Sequence, residues 1–255
     1  MSVEAPPGTV IYDTAEALAQ SVAAWLCRQA QASAEGPLAI CLSGGSTPRQ
    51  LYAALAATGT QCGFPWAQAH WFWGDERFVP PDDTASNYRM AHEVMFARVA
   101  IPAANIHPIP TLGVSAHAAA VSYEATLRQF YGERQLTSAQ PLFDVTLLGI
   151  GEDGHTASLF PNQSSLDERG RWVLEVASPA GEPRITLTYP PLESSRHIAF
   201  LAAGQRKQGI LARAWSGDRS LPAARVNSRG RVHWFLDRAA DPAEARADGQ
   251  SPPGD

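Results

Sequence analysis

Apolar and polar positions follow each other along the chain in strand-like and helix-like patterns. Residues 38–42 form an uninterrupted apolar run that ends at a Ser-Gly-Gly turn, which is typical of a strand covered on both faces. Directly afterwards, Thr47 and Pro48 offer an N-cap and a first-turn proline to a helix whose apolar residues recur at helical spacing. The pattern predicts a strand, a glycine-rich turn and a helix in succession.

The same alternation continues as far as about residue 236. Upstream, a helix is predicted to begin near Asp13, which has the capping-box spacing to Glu16. Strands that alternate with helices predict an α/β fold: a mostly parallel twisted sheet with helices on both faces and right-handed crossovers. Further strands are predicted at 69–73, 143–148, 172–176, 185–189, 197–201 and 232–236, and further helices at 86–98, 115–131 and 205–215.

A single domain accounts for this pattern. There is no internal repeat and no linker that divides the chain, so residues 9–237 are predicted to form one α/β domain. Residues 238–255 combine alanine, proline, glycine and charged residues without apolar periodicity, and we expect a disordered tail there.

Composition and charge narrow the range of partners. The net charge is −5 and no run of basic residues could follow a nucleic-acid backbone, so nucleic acid is not expected as a partner. No stretch of about 18 uncharged apolar residues predicts a membrane span, and the N-terminus lacks the basic and apolar regions of a signal peptide. We therefore expect a cytoplasmic protein without membrane contact. We also expect a monomer, because no large apolar surface stretch demands a partner.

Cysteine and histidine spacing argues against several kinds of site. Cys27, Cys41 and Cys62 are odd in number and lie in no CxxC pair, so we expect reduced thiols and no disulfide framework. Phe96 stands where an HExxH motif beginning at His92 would need its second histidine, and no Cys/His cluster suggests zinc. The sequence also lacks the GxSxG elbow of serine hydrolases.

Three loops after predicted strands have unusual compositions, and in an open parallel sheet ligands bind outside the carboxyl ends of the strands. The first loop contains Ser43, Gly44, Gly45, Ser46 and Thr47. Its paired glycines let the backbone approach a ligand, and the following helix N-terminus offers free N–H groups, so the loop suits a phosphate. A tight turn with an ordinary N-cap would have the same spacing.

The second loop places Asp75, Glu76 and Arg77 directly after the aromatic end of a strand. Three consecutive charged residues could equally form a solvated rim. Their position at the carboxyl end of a strand favours a functional role.

The third loop, 149–155, matches G-x-G-x-x-G after a strand, but we do not expect a dinucleotide site there. Glu152 and Asp153 would put two carboxylates beside the pyrophosphate, and Pro161 comes too soon for the helix that should bind it. The loop instead presents Asp153 and His155. Histidine can act as a base near neutral pH and a carboxylate can hold its tautomer, although an inert loop histidine would have the same spacing.

Five sequence blocks follow one another in order along the chain: SGGSTPRQLY (43–52), WGDERFVPPDDTASNYRM (73–90), FDVTLLGIGEDGHTASLFP (143–161), RITLT (184–188) and AGQRKQGIL (203–211). Together they resemble the 6-phosphogluconolactonase family, from the first strand to about residue 236. The resemblance implies the sheet fold that this family shares with glucosamine-6-phosphate deaminase. It also implies a cytosolic enzyme of the oxidative pentose phosphate pathway that hydrolyses 6-phospho-D-glucono-1,5-lactone to 6-phosphogluconate, without a cofactor or a required metal.

The resemblance also implies roles for residues at matching positions. His155 matches the histidine proposed to activate water, and Arg184 matches an arginine that faces the same cleft. Arg77 and Lys207 match cationic positions near the substrate phosphate, beside the loop 44–47. Lys207 is the only lysine in the sequence, which favours a functional role for it.

These roles combine into an expected mechanism. Anchoring of the phosphate fixes the distant lactone carbonyl, and His155 takes a proton from the water that attacks C1. Arg184 is the candidate that stabilises the developing charge on the carbonyl oxygen, and the imidazolium then protonates the leaving O5. Asp75 and Asp153 either act on the substrate or hold their loops.

Two other functions remain open at this point. A sugar-phosphate deaminase or isomerase on the same fold would use Asp75 as a proton carrier. The deaminase motif resembles DGHIAFNEP, with a glutamate five residues after the histidine. Phe160 occupies that position here and cannot relay protons, which favours hydrolysis. A non-catalytic sugar-phosphate sensor would need an output module, for which one sheet domain of 255 residues leaves no room.

Overall fold

The computed structural model describes residues 4–32, 36–133 and 135–244. Within these ranges, strands alternate with α-helices and short 3-10 turns. The strands are β1 (Thr9–Tyr12), β2 (Leu38–Leu42), β3 (Ala69–Trp73), β4 (Asp75–Arg77), β5 (Phe143–Gly149), β6 (Val173–Ala177), β7 (Pro183–Leu187), β8 (Ser195–Ala202) and β9 (Arg231–Asp237). The helices are α1 (Ala15–Ala32), α2 (Ser46–Thr58), α3 (Asn87–Val94), α4 (Ala116–Tyr131), α5 (Tyr189–Glu193), α6 (Gln208–Trp215) and α7 (Pro222–Arg225).

Six strands form one parallel sheet in the order β1-β9-β8-β5-β2-β3. Every residue of β2 is buried, so both faces of the sheet are covered at its centre. On β2 and β3, Leu42 and Phe72 are fully buried, and each such side chain contributes about 1.5–3 kcal/mol relative to an exposed one. The architecture confirms the predicted α/β fold with a mostly parallel sheet.

A second sheet of three antiparallel strands, in the order β4-β7-β6, is an addition to the predicted topology. The strands predicted at 172–176 and 185–189 exist as β6 and β7, but they pair with each other and with β4 instead of joining the parallel sheet. The sequence placed the residues of β4 in a loop because three charged side chains have no apolar pattern. Helix α4 packs against β6 and β7.

Two helices begin differently from the prediction. Thr14, and not Asp13, caps α1 through a side-chain hydrogen bond. Helix α2 begins at Ser46, because Gly45 has a φ of 108° that L side chains rarely adopt, and Thr47 therefore lies inside the first turn. None of the helices in the described ranges combines the length and the apolar character that a bilayer crossing requires.

Cys27 and Cys62 form a disulfide, contrary to the expectation of reduced thiols. Helix α1 and the loop after α2 meet there, with Cα atoms 6.3 Å apart, within the range that a disulfide spans. The sequence could not reveal this contact, because the two positions are separated by 35 residues. Cys41 is a buried free thiol.

The described residues of the segment predicted to be a disordered tail are 238–244. Residues 238–240 form a 3-10 turn in which Ala240 is buried and donates its N–H to the side chain of Asp237. Arg238 forms an ion pair with Asp13 at 2.6 Å. Capping and ion pairing of this kind leave no apolar periodicity, so the sequence pattern does not mark these contacts. Residues 245–255 lie outside the described residues.

Candidate active site

A cleft of about 480 Å³ opens at the carboxyl ends of β2, β5 and β8, with β4 and β7 along one side. Two of the predicted site residues, Ser46 and Thr47, do not line it. They form the first turn of α2, and Ser46 borders an adjoining smaller cavity. The predicted site residues that the structure brings together in the cleft are Ser43, Gly44, Gly45, Asp75, Arg77, Asp153, His155, Arg184 and Lys207.

Local backbone constraints shape the glycine-rich loop after β2. Gly45 has a positive φ, and a Cβ on Gly44 would overlap Oδ1 of Asn87. The Tyr52 hydroxyl accepts the N–H of Ser43 at 2.9 Å and donates to its carbonyl at 2.8 Å. The Ser43 hydroxyl is buried and has no hydrogen-bond partner among the described residues. It is therefore available to a ligand.

Side-chain alternation along β4 divides its charged residues between two environments. Asp75 and Arg77 line the cleft, whereas Glu76 is 2% exposed and directed away from it. The Glu76 carboxylate accepts the N–H groups of Asn87 and Tyr88 at the start of α3, and burial raises its pKa. Glu76 thus holds α3 against β4 through backbone N–H groups.

Arg77 and Arg184 are directly opposite each other in the antiparallel pair of β4 and β7. Like charges at such positions destabilise a sheet, so this pairing favours an anion nearby. Arg184 forms an ion pair with Glu182 at 2.8 Å, and Arg77 donates to the carbonyl of Ala85. The Nε of Arg184 is buried without a partner among the described residues and is a free N–H donor.

Loop 149–155 folds as a tight turn. The N–H of Gly151 donates to the carbonyl of His155 at 2.8 Å, and the N–H of Gly154 donates to the carbonyl of Gly151 at 3.0 Å. The next α-helix in the described part of the chain is α5, which follows two intervening strands. The loop therefore lacks the helix N-terminus that a dinucleotide pyrophosphate needs, in agreement with the sequence argument.

Asp153 and His155 form a hydrogen-bonded pair in this loop. Oδ1 of Asp153 lies 2.5 Å from Nδ1 of the imidazole and also accepts the backbone N–H of His155 at 3.1 Å. Burial disfavours the ionised carboxylate, but the contacts with His155 outweigh it and lower the pKa of Asp153. An ionised carboxylate only accepts hydrogen bonds, so Nδ1 carries the ring proton and Nε2 is the basic nitrogen.

Lys207 reaches the same loop from the segment after β8. Its Nζ donates to the carbonyl of Ile150 at 2.8 Å, and burial lowers its pKa. An ammonium group has three N–H donors, so two remain for a ligand. The neighbouring Arg206 is 87% exposed and forms an ion pair with Glu152 at 3.3 Å, outside the cleft lining.

The cleft also contains residues that sequence reasoning missed. Ser158 is 1% exposed and donates its hydroxyl to Oδ2 of Asp75 at 2.7 Å. The side-chain amide of Asn87 donates to the backbone carbonyl of Asp75 at 2.9 Å. The turn 178–182 between β6 and β7 forms another part of the lining. Ser158 and Asn87 lie inside the sequence blocks that carry the family resemblance, and this resemblance was the only feature of the sequence that pointed to them. No feature of the sequence pointed to the turn 178–182.

Among the residues that the structure describes, no three His, Cys, Asp or Glu side chains are grouped so that they could hold a metal ion.

The chain that forms this cleft is similar to proteins of known families. A family model described as glucosamine-6-phosphate isomerases/6-phosphogluconolactonase matches residues 13–234. The chain is similar to a 6-phosphogluconolactonase of Nostoc sp., with 42% identity over 81% of this chain and 84% of that one. It is 41% identical to a 6-phosphogluconolactonase of Synechocystis sp., over 79% of this chain and 82% of that one.

A solved structure of similar fold is the 6-phosphogluconolactonase of Thermotoga maritima. It has a TM-score of 0.77 and 31% identity, over 90% of this chain and 100% of that one. The matched segment includes the antiparallel sheet, strands β2, β3, β5 and β8 of the parallel sheet, and every residue that lines the cleft. The chain therefore belongs to the glucosamine-6-phosphate isomerase/6-phosphogluconolactonase family.

Proposed function

We propose that this protein hydrolyses 6-phospho-D-glucono-1,5-lactone to 6-phospho-D-gluconate, a step of the oxidative pentose phosphate pathway. The observation that carries the proposal is the Asp153–His155 pair in a cleft that also contains a glycine-rich loop and the half-buried Lys207. Relatives at 42% and 41% identity have the name 6-phosphogluconolactonase, which supports this substrate.

The substrate phosphate is proposed to bind at the glycine-rich loop. Residues 43–45 offer the free Ser43 hydroxyl within the cleft, and the first N–H groups of α2, which have no partner within the helix, follow directly beside it. Arg77 and Lys207 supply positive charge from the neighbouring strand ends. Binding energy gained at this end of the substrate would fix the position of the distant lactone carbonyl.

The chemical step is proposed to run through His155. Nε2 takes a proton from the water that attacks C1, while Asp153 stabilises the imidazolium. Charge develops on the carbonyl oxygen, and the free Nε–H of Arg184 is the candidate donor for it. The C1–O5 bond then breaks and the imidazolium returns its proton to O5. The carboxylic acid product ionises, so each turnover releases one proton to solvent.

The position of Phe160 favours hydrolysis over deamination. Its ring lies 4.9 Å from the imidazole of His155 and is 6% exposed, packed with Leu174 and Val176. An apolar side chain at this point offers no group that could pass a proton to or from the histidine.

Proton release from freshly prepared 6-phosphogluconolactone tests the proposal. The wild type should accelerate release above the spontaneous rate, and His155→Ala should lower kcat by roughly 10²-fold or more with a smaller effect on KM. His117→Ala, at an exposed histidine outside the cleft, is the matched control. Full turnover by the His155 variant would contradict the mechanism. Ammonia release from glucosamine 6-phosphate would support the deaminase instead.

We further propose that the protein acts as a monomer in the cytoplasm. The large apolar side chains exposed on the described surface are few and lie at three separate places, on β1, before α4 and on α4. The proposed substrate is a phosphate ester whose charge prevents free passage across a bilayer, so the enzyme must share the compartment in which the lactone forms.

A further inference from the structure

We propose that Asp75 binds a hydroxyl group of the lactone ring, and that Ser158 is the positioning residue that holds the Asp75 carboxylate for this contact. The inference rests on the proposed function and names the feature by which the cleft would select a polyhydroxylated sugar lactone.

Several contacts fix Asp75 in place. Its backbone pairs with Thr186 of β7, and its carbonyl accepts the side-chain amide of Asn87. The Ser158 hydroxyl donates to Oδ2 at 2.7 Å. The side chain is buried, at 7% exposure, yet it lines the cleft. Its second oxygen, Oδ1, accepts no hydrogen bond from any described residue.

Ser158 is itself held by the second sheet. Its backbone N–H donates to Oγ1 of Thr186 at 3.1 Å, and the Thr186 hydroxyl donates to the carbonyl of Leu187 at 3.0 Å. The chain of contacts from Leu187 through Thr186 and Ser158 ends at the carboxylate of Asp75. The orientation of this carboxylate is therefore set by the protein before a ligand arrives.

The chemistry of the substrate leaves one kind of partner for Oδ1. A carboxylate oxygen that faces a cleft without a protein partner accepts a hydrogen bond from a ligand that has a donor group. Among the groups of the lactone itself, the phosphate, the carbonyl oxygen and the ring oxygen are acceptors, and the hydroxyl groups at C2, C3 and C4 are the donors.

The spacing along β4 agrees with this assignment. Arg77, a proposed phosphate ligand, lies two residues from Asp75 on the same face of the strand, which corresponds to about 7 Å. That separation is comparable with the distance between the phosphate on C6 and the ring hydroxyls of the same sugar. One strand would thus supply a cation for one end of the substrate and an acceptor for its ring.

Deoxy analogues test the proposal. The kcat/KM values of 6-phosphogluconolactone and of its 2-deoxy, 3-deoxy and 4-deoxy derivatives are measured by proton release for the wild type, Asp75→Asn and Ser158→Ala. For the wild type, removal of one particular hydroxyl should lower kcat/KM by about 10- to 10²-fold, more than removal of the other two. For Asp75→Asn, kcat/KM on the parent lactone should fall by a similar factor. On the deoxy derivative that lacks this particular hydroxyl, kcat/KM of the variant should be close to that of the wild type.

Ser158→Ala separates positioning from structural support. The variant should lose part of the same discrimination, because the carboxylate is no longer held, whereas a structural defect would lower kcat/KM equally for all four lactones. Ser178→Ala removes another serine of the cleft lining, whose Oγ accepts the N–H of Glu182, and should keep the wild-type ratio between lactones. If Ser158→Ala does not fold, the wild type and Asp75→Asn still decide the question.

Two results would overturn the inference: equal kcat/KM for all deoxy lactones with the wild type, or an equal loss on every lactone with Asp75→Asn. Failure of the proposed function is a different result, because the wild type would then not accelerate hydrolysis of the parent lactone. In that case, calorimetric titration with 6-phosphogluconate and its deoxy derivatives still measures whether Asp75 binds a hydroxyl. Equal affinities in that titration would also overturn the inference.

Discussion

Gly151 and His155 lie so close together that a Cβ at position 151 would overlap Nδ1 and Cε1 of the imidazole and Oδ1 of Asp153. The second glycine of the G-x-G-x-x-G match therefore makes room for a histidine and its carboxylate. A glycine at this position of the G-x-G-x-x-G match is therefore explained by the space that His155 and Asp153 need, without a bound nucleotide.

Gly151→Ala should displace the imidazole and lower kcat by about 10-fold or more, because a small misplacement of a general base slows the reaction strongly. Gly149→Ala is the matched control in the same loop, since a Cβ there meets no atom within 4 Å. We expect this variant to keep most of its activity, and circular dichroism should show both variants folded. Equal activity of the two variants would contradict the steric role of Gly151.

Lys207→Met should act on the phosphate end of the substrate. The change removes a half-buried ammonium, and we expect kcat/KM for 6-phosphogluconolactone to fall by about 10²-fold, with a much smaller loss for unphosphorylated gluconolactone. Steady-state assays with both lactones measure the difference. Arg206→Met removes the adjacent exposed cation and should change neither value by more than about two-fold. Equal losses on both lactones would show instead that Lys207 serves mainly to hold the carbonyl of Ile150.

The pair formed by His70, on the edge strand β3, and His107 should make stability depend on pH. Nδ1 of His70 lies 3.0 Å from Nε2 of His107, whose ring stacks on Phe72 with centroids 4.4 Å apart. Burial lowers the pKa of both histidines, to about 4 for His107. An unfolded histidine titrates near 6.5, so the unfolded chain binds protons first as the pH falls. The free energy of unfolding should therefore decrease between about pH 6.5 and about pH 4.

Urea denaturation at about pH 7 and about pH 4.5 measures this decrease. His107→Gln removes the group with the lowered pKa, and the difference in unfolding free energy between the two pH values should become smaller than in the wild type. An unchanged difference would mean that other groups cause the pH dependence. His117→Gln, at an exposed histidine, is the control and should leave the difference as it is.

The positions of most strands and helices could be predicted from the chain, because burial on one or both faces leaves a local pattern. The run 38–42 and the aromatic run 69–73 are strands with the predicted bounds. Strand β4 could not be predicted, because its side chains are all charged and it exists only through pairing with β7.

The candidate site divides in the same way. The loops that follow the parallel strands could be located from the apolar pattern alone, and these loops bring Ser43, Asp153 and His155 to one edge of the sheet. The position of Arg77 opposite Arg184 and the bond between Cys27 and Cys62 became visible in the folded protein and not before.

This difference follows from the distance along the chain over which each interaction acts. Apolar periodicity, glycine-rich turns and helix caps act over a few residues and are visible in any short segment of the chain. Strand register, side-chain hydrogen bonds such as the one from Ser158 to Asp75, and disulfide pairing depend on how distant segments pack, and no short segment contains that information.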